Sequence, residues 1–115
     1  MPTPLEVEAF LAEFHARMKV WDVFFMDERE KNTMAFADLG ITRNERKQVL
    51  EVLTAMDYSE GPKKDWLGGP DLWIFGKALS GTDLYIKVTL GLARTGEVIC
   101  ISFHAAEHPM KFPLR

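Results

Sequence analysis

The chain has 115 residues, 47% hydrophobic and 27% charged, so it is long enough for one domain with a single core, and nothing in its composition suggests disorder. Its net charge of −3 at pH 7 argues against broad non-specific binding of nucleic acid. No apolar run of about 18 residues and no signal-peptide pattern occurs, and the single Cys100 fits a reducing compartment. These features predict a cytoplasmic protein, a single domain over residues 1–115, with no membrane partner.

Charge is unevenly distributed along the chain. Residues 1–60 carry 7 basic and 12 acidic side chains, whereas residues 61–115 carry 7 basic and 5 acidic ones. An anionic ligand is therefore expected to prefer the C-terminal half.

Two capping-box spacings predict where helices begin. Thr3 and Glu6 begin a helix over residues 4–18, whose apolar residues recur every three or four positions. Thr42 and Glu45 begin a later helix, whose buried side is expected to contain Val49, Leu50, Val52, Leu53 and Met56. Helices thus occupy much of the N-terminal half.

The residues between these helices are less regular. Residues 20–26, VWDVFFM, are rich in β-formers and predict a strand, and a short helix is expected from Asn32 or Thr33 to Leu39. At the start of the later helix, the basic residues are expected to face water or, alternatively, to contact RNA or a partner: Arg43, Arg46 and Lys47.

Residues 57–71, DYSEGPKKDWLGGPD, predict the longest loop of the chain. It carries Lys63, Lys64 and Trp66, and loops of this length are often binding loops. The two lysines could bind a phosphate while the indole stacks on a base. Alternatively, this is a plain solvent loop with Trp66 folded back on the core.

Three strand-like runs lie between Leu72 and His104. Residues 84–90 alternate apolar and polar side chains, and residues 99–103 are expected to do the same, with Ile99, Ile101 and Phe103 facing the core. Ser80-Gly81 predicts a two-residue hairpin turn, which places Gly76 opposite Tyr85 and Ile74 opposite Lys87. Residues 93–96 predict a four-residue loop in which Gly96 takes a positive φ.

Register decides whether the polar faces of these strands coincide. If neighbouring strands bury their apolar sides in one core, Tyr85 pairs near His104, and Lys87 pairs near Ser102. A three-residue loop would break this register unless a bulge restored it. The four residues therefore predict one cluster on an open sheet face, and the tail is expected to pack back over the sheet through Met110, Phe112 and Leu114.

The clustered side chains suit metal-independent cleavage of RNA. A histidine moves protons near neutral pH, and a lysine can stabilise the charge that develops on phosphorus. An ordinary solvated sheet face is the alternative. Residues 104–108 also match the H-x-x-E-H spacing of zinc proteases, but that motif needs a helix and Pro109 follows at once, so no metal and no cofactor are expected.

Four segments of the chain resemble a known family: LTAMDYSEGP, LWIFGK, DLYIKVTL and VICISFH. From Gly40 onward, the chain resembles the MqsR-type toxins of bacterial toxin–antitoxin systems, which share the fold of RelE-like ribonucleases. The resemblance implies an mRNA-cleaving toxin, an mRNA interferase, whose partners are mRNA and a cognate antitoxin, with the ribosome as a further candidate.

The family's implicated residues map unevenly onto this chain. Its tyrosine falls on Tyr85, and its terminal basic residue falls on His104, where a lysine has become histidine. Its glutamine position is Ile74, and its earlier lysine has Lys63 or Lys64 as the nearest counterpart. The resemblance therefore implies catalytic roles for Tyr85 and His104.

Together these features predict an α+β fold, RelE-like, with N-terminal helices packed on a C-terminal antiparallel sheet of three or more strands. The expected catalytic residues are His104, Tyr85 and Lys87, and the expected substrate-binding residues are Lys63, Lys64, Trp66 and Ser102. A non-catalytic protein-interaction module of the same fold, docking through the tail and the Trp66 loop, is the alternative.

Overall fold

A five-stranded mixed sheet organises the part of the chain that the computed structural model describes, residues 1–26, 40–65, 68–91 and 96–115. Its strands are β1 (Val23–Phe25), β2 (Tyr58–Lys63), β3 (Leu72–Leu79), β4 (Thr82–Thr89) and β5 (Val98–Ala105). Their order is β1-β5-β4-β3-β2, with β1 parallel to β5 and the other neighbours antiparallel. With the helices α1 (Pro4–Trp21) and α2 (Arg43–Glu51), the fold is α+β, as predicted. The sheet is mixed, however, and not the antiparallel sheet that was expected, because β1 runs parallel to β5.

Both helices begin at the capping boxes that the sequence predicts. The Thr3 hydroxyl accepts from the Glu6 amide, and the Glu6 carboxylate accepts from the Thr3 amide, each at 3.2 Å. Thr42 and Glu45 repeat this exchange at 3.1 and 3.2 Å. Each such cap contributes about 1 kcal/mol of helix stability. Within the described ranges, no helix combines the length and apolar character needed to cross a membrane.

The core lies between the helices and one face of the sheet. Phe10 of α1 stacks on Trp73 of β3 at 4.6 Å between ring centroids and lies 6.2 Å from Phe75. Leu84, Ile86 and Val88 of β4 are fully buried on this side. Because buried apolar side chains alternate along β4, its polar residues must face away from the helices.

The predicted strand over residues 20–26 is mostly wrong. Helix α1 continues to Trp21, and only Val23–Phe25 form a strand, because extending a formed helix adds a hydrogen bond for each residue. Val20 and Trp21 are 69% and 44% exposed on this last turn. Asp22 makes the junction at φ 74° and ψ −171°, a conformation that side-chain-bearing residues rarely adopt.

The Asp22 carboxylate stabilises this junction. It accepts from the Val23 amide at 2.8 Å, lies 3.0 Å from the Lys47 Nζ, and lies 3.4 Å from the Arg43 guanidinium. The amide hydrogen bond is the largest cause that lowers the pKa of Asp22 below its ordinary 3.8, followed by the hydrogen bond from Lys47. The carboxylate therefore joins the end of α1 to the start of α2.

The later helix is shorter than its apolar pattern predicts. It ends at Glu51, so Val52 and Met56 are 55% and 56% exposed, and only Leu50 and Leu53 of the predicted side are buried. Arg46 is a second correction, since it is 2% exposed and its guanidinium lies 4.0 Å from the centroid of the Phe25 ring. Arginine stacks on aromatic faces readily, so it can occupy this position between α2 and β1.

The predicted loop over residues 57–71 begins with a strand instead. Tyr58–Lys63 form β2, an edge strand, and edge strands tolerate the Gly61 and Pro62 that obscure the strand pattern in the sequence. Tyr58 is buried and donates its hydroxyl proton to the Gly61 carbonyl. Burial raises the pKa of Tyr58 above 10.0, and the negative charge of Glu60 raises it further.

The predicted register of β3, β4 and β5 is confirmed where the polar residues lie. Gly76 pairs with Tyr85, and Tyr85 pairs with His104 on its other side. Ser80 and Gly81 form the predicted two-residue hairpin turn, at φ 52° and 81°, and Gly96 has the predicted positive φ, 118°. The rest of the predicted four-residue loop, residues 93–95, lies outside the described residues.

A bulge in β5 changes the predicted alternation beyond that point. Ile101 is the extra residue, because Lys87 pairs with Ser102 whereas Val88 pairs with Cys100. Val98 and Cys100 therefore face the core, and the expected core residues Ile99 and Ile101 are only half-buried. The predicted short helix before Gly40 lies outside the described residues.

Candidate functional site

Tyr85 and His104 stack on each other on the sheet face that points away from the helices. They are direct partners across β4 and β5, with ring centroids 5.2 Å apart and ring planes inclined by 14°. Both side chains are half-buried, so they are neither sealed in the core nor fully solvated. The structure thus brings together the two rings that sequence reasoning paired.

Lys87 and Ser102 form the neighbouring pair of the same ladder. The Lys87 Nζ lies 5.9 Å from the centroid of the Tyr85 ring, which places a cation beside the aromatic pair. Ser102 is only 1% exposed, so its hydroxyl lies at the floor of the site and not on its rim. All four residues of the predicted cluster are therefore adjacent.

A hydrogen bond fixes the tautomer of His104. Its Nδ1 lies 2.9 Å from the carbonyl oxygen of Ala105. A carbonyl only accepts, so Nδ1 must carry the proton, and in the neutral ring Nε2 then has the lone pair. The imidazole is thus prepared to accept a proton at Nε2.

The C-terminal tail, residues 106–115, forms a wall over this face of the sheet. Met110 and Phe112 pack against Gly76, where the Cβ of any larger residue would lie 2.7 Å from the Phe112 ring and 2.8 Å from the Met110 sulfur. Only glycine leaves room for this contact. The expected packing of the tail over the sheet is confirmed for Met110 and Phe112, whereas Leu114 packs against the hydrophobic core.

Contacts of Arg115 hold the end of the tail in place. Its Nε donates to the Met56 carbonyl at 3.1 Å, its guanidinium lies 3.7 Å from the buried Asp57 carboxylate, and it stacks 3.8 Å over the Phe112 ring. Lys77 also contacts Asp57, at 3.2 Å. The tail is therefore held both at its middle and at its end.

A cavity of about 680 Å³ lies between the sheet face and the tail. Such a volume is typical of sites for small ligands or a few nucleotide units. Besides the four clustered residues, its charged and titratable lining comes from β2 and the tail: Glu60, Glu107, His108 and Lys111. The cavity thus combines cations, carboxylates and two imidazoles around one space.

Sequence reasoning did not assign these four additional residues. Glu107 and His108 stand out in the sequence only as members of a zinc-protease spacing. The predicted return of the tail over the sheet was the signal that could have placed them at the cluster. In the described parts of the chain, no three His, Cys, Asp or Glu side chains converge in a way that could hold a metal ion.

The predicted substrate-binding lysines lie at the margin of the cavity. Lys63 ends β2, and its Nζ lies 3.2 Å from the carboxylate of Glu60, which does line the cavity. Lys64 is exposed immediately after the strand. Among the described residues, neither lysine belongs to the cavity lining, and Trp66 lies outside those residues.

Ile74 occupies the position that the resemblance aligns with a glutamine of MqsR-type toxins. Ile74 is 1% exposed and pairs with Lys87 on the cavity side of β3. An alkyl side chain at this point supplies packing but no hydrogen bond to a substrate. Ile74 therefore supports the sheet beneath the site instead of binding at it.

No family model, no curated protein and no solved structure matches this chain. The resemblance to MqsR-type toxins consequently depends on the motifs quoted from the sequence alone.

Proposed function

We propose that the protein is a metal-independent endoribonuclease that cleaves mRNA, on a RelE-like fold, and that it acts as a toxin neutralised by a cognate antitoxin. The observation that carries the proposal is the stacked Tyr85–His104 pair beside the Lys87 cation in one cavity. The motifs shared with MqsR-type toxins include the same tyrosine and the same terminal basic position. The excess of basic residues after residue 60 is a second support.

The chemistry is transfer of a phosphoryl group within the RNA. Nε2 of His104 removes the proton of a ribose 2′-hydroxyl, and the 2′-oxygen attacks the adjacent phosphorus. The bond from phosphorus to the 5′-oxygen then breaks, and that oxygen must receive a proton. The products are a 2′,3′-cyclic phosphate and a 5′-hydroxyl.

Lys87 and Tyr85 assist this step in different ways. The Lys87 cation stabilises the additional negative charge on the phosphorane-like transition state, an effect typically of several kcal/mol, with about 3 kcal/mol lost when one such group is removed. Tyr85 lies flat against the imidazole and fixes the ring plane, and its hydroxyl can contact the same phosphate. Ser102 holds a hydroxyl at the floor of the cavity.

Cleavage of a labelled single-stranded RNA of mixed sequence, in the presence of EDTA, tests the proposal. The wild-type protein should give fragments with 2′,3′-cyclic phosphate ends, and His104→Ala should slow cleavage by about 10²–10⁴-fold. His15→Ala is a matched control, because this histidine binds the Leu50 carbonyl at 2.7 Å on the helical side of the sheet. No cleavage by the wild type, or equal cleavage by His104→Ala, would refute the proposal.

A non-catalytic interaction module of the same fold is the second candidate. Ile74 favours it, because a buried alkyl group occupies the position at which the family carries a glutamine. Its expected docking surface is reduced, however, since Met110 and Phe112 of the tail pack on Gly76. Overexpression separates the two functions: a toxin should arrest growth of the host and His104→Ala should relieve the arrest, whereas a docking module should do neither.

A further inference from the structure

RNA cleavage by this route requires two proton transfers on opposite sides of the phosphorus. One group accepts the proton of the 2′-hydroxyl, and another donates a proton to the departing 5′-oxygen. The hydrogen bond from Nδ1 of His104 to the Ala105 carbonyl leaves Nε2 as an acceptor, so His104 is suited to the first transfer. A second group is needed for the other.

We propose that His108 is the general acid that protonates the leaving 5′-oxygen, while His104 is the general base. This inference rests on the proposed ribonuclease function. His108 lies in the tail and His104 lies on β5, yet both line the one cavity of about 680 Å³. They reach it from two walls, since the tail covers the sheet face that bears His104. Both imidazoles therefore line the space in which a phosphate would bind.

The position of the tail makes this placement of His108 a fixed feature of the fold. The contact of Met110 and Phe112 with Gly76 holds the chain two to four residues after His108. The end of β5 holds it three residues before. His108 itself is exposed, so its ring can turn toward a bound substrate.

Histidine is the side-chain type best matched to the acid role here. Among side-chain types, an imidazole ordinarily titrates closest to neutral pH, whereas a phenol is a much weaker acid. The other titratable and charged groups that face the two imidazoles across the cavity are Glu60 of β2, Tyr85 and Lys87 of β4, and Glu107 and Lys111 of the tail. None of these side-chain types ordinarily titrates between pH 5 and 8.

Two substrates that differ only in the leaving atom distinguish an acid from a binding residue. One is an oligonucleotide with a single ribonucleotide and an ordinary 5′-oxygen, and the other has sulfur at that bridging position. A thiol has a pKa near 8.5, so a thiolate departs without protonation. Loss of the general acid should therefore slow cleavage of the oxygen substrate far more than that of the sulfur substrate.

His108→Ala should slow cleavage of the oxygen substrate by about 10²–10⁴-fold and of the sulfur substrate by less than about tenfold. His104→Ala should slow both substrates. The bell-shaped pH profile of the wild type on the oxygen substrate should lose its alkaline fall in His108→Ala. His108→Gln gives a second variant that keeps the size and polarity of the side chain, and thermal unfolding checks that both variants fold.

Three results would overturn the inference. If the wild type cleaves RNA and His108→Ala is equally active on the oxygen substrate, His108 is not the acid, although the ribonuclease function stands. If His108→Ala is slowed equally on both substrates, His108 binds the RNA without donating the proton. If the wild type cleaves neither substrate, the proposed function fails and the inference fails with it.

Discussion

Replacement of Gly76 by alanine should displace the tail from the sheet. A Cβ at this position would lie 2.7 Å from Cε1 and Cζ of Phe112 and 2.8 Å from Sδ of Met110. Carbon atoms in contact are normally about 3.5–4.0 Å apart, so the tail would have to move by nearly an ångström. Because Gly76 has no positive φ, alanine itself fits the strand backbone, and the three atoms nearest to the added Cβ all belong to the tail.

Two opposing effects set the magnitude. Alanine in place of glycine within a strand ordinarily stabilises by about 0.5–1 kcal/mol, because the unfolded chain loses less freedom on folding. Overpacking of a well-filled site destabilises by about 1–3 kcal/mol. The overlap should prevail, with a net loss of about 1 kcal/mol in the free energy of unfolding, which lowers the Tm of a domain this size by about 4 °C.

A double-mutant cycle with Phe112→Ala measures the overlap directly. When the ring is absent, Gly76→Ala should be neutral or slightly stabilising in urea unfolding, because the remaining Met110 side chain is flexible. Ala78→Val is the control, since Ala78 is exposed two residues further along the same face of β3. A cost for Gly76→Ala that is the same with and without the Phe112 ring would refute this account of the tail.

Three further substitutions test individual contacts by urea unfolding. Asp22→Asn should lower the free energy of unfolding at pH 7 by about 0.2–1 kcal/mol, a small loss because the pairing with Lys47 is exposed. Since the pKa of Asp22 is lowered on folding, the difference between variant and wild type should vanish as the pH falls below 3.8. A difference that persists at pH 2 would contradict this prediction. Tyr58→Phe should lower the free energy of unfolding at pH 7 by about 1 kcal/mol, because it removes the hydrogen bond to Gly61. The pKa of Tyr58 is raised on folding, so the wild type should lose stability above pH 10, and the variant should lack this loss. The same loss of stability above pH 10 in both proteins would count against this prediction. Asp57→Asn should cost about 2 kcal/mol, because the buried carboxylate binds Lys77 at 3.2 Å, and a loss below about 0.5 kcal/mol would show that this pairing is not stabilising.

The sequence was most informative where one face of a strand is buried and the turns are short. The alternation in β4 and the Ser80-Gly81 turn were enough to pair Gly76, Tyr85 and His104, since a one-residue slip would bury the polar side chains. The central geometry of the candidate site follows from this register. The sequence also allowed for a bulge in β5 but offered no means to locate it at Ile101.

Elements that depend on tertiary contacts were not predictable in this way. Residues 20–26 have the composition of a strand, yet the helix continues to Trp21, because propagation of a helix that is already formed adds a hydrogen bond for each residue. The Gly61-Pro62 pair concealed β2, which the sheet accepts only at its edge. Arg46 has the character of a surface residue in the sequence, and its contact with the Phe25 ring becomes visible only in the fold.

The acidic and basic residues of the tail were assigned to no site for the same reason. Glu107, His108 and Lys111 reach the cavity because Phe112 packs on Gly76, a contact between residues 36 positions apart. No periodic pattern encodes such a contact. The expected return of the tail over the sheet was one sign of it, and a glycine facing the open side of β3 was a second, local sign that another segment approaches there.

Because β5 contains one extra residue, the β4–β5 hairpin could be one residue shorter without moving the imidazole of His104 to the other face of the sheet. On one side of Ile101, Cys100 pairs with Val88, and on the other side Ser102 pairs with Lys87, so deletion of Ile101 would join two segments into an unbroken ladder with every partner preserved. In a regular strand, the same deletion would turn the side chains of one segment to the opposite face and move His104 to the face that packs against the helices. Loss of this one residue would therefore leave the His104 ring beside the Tyr85 ring on the outer face of the sheet.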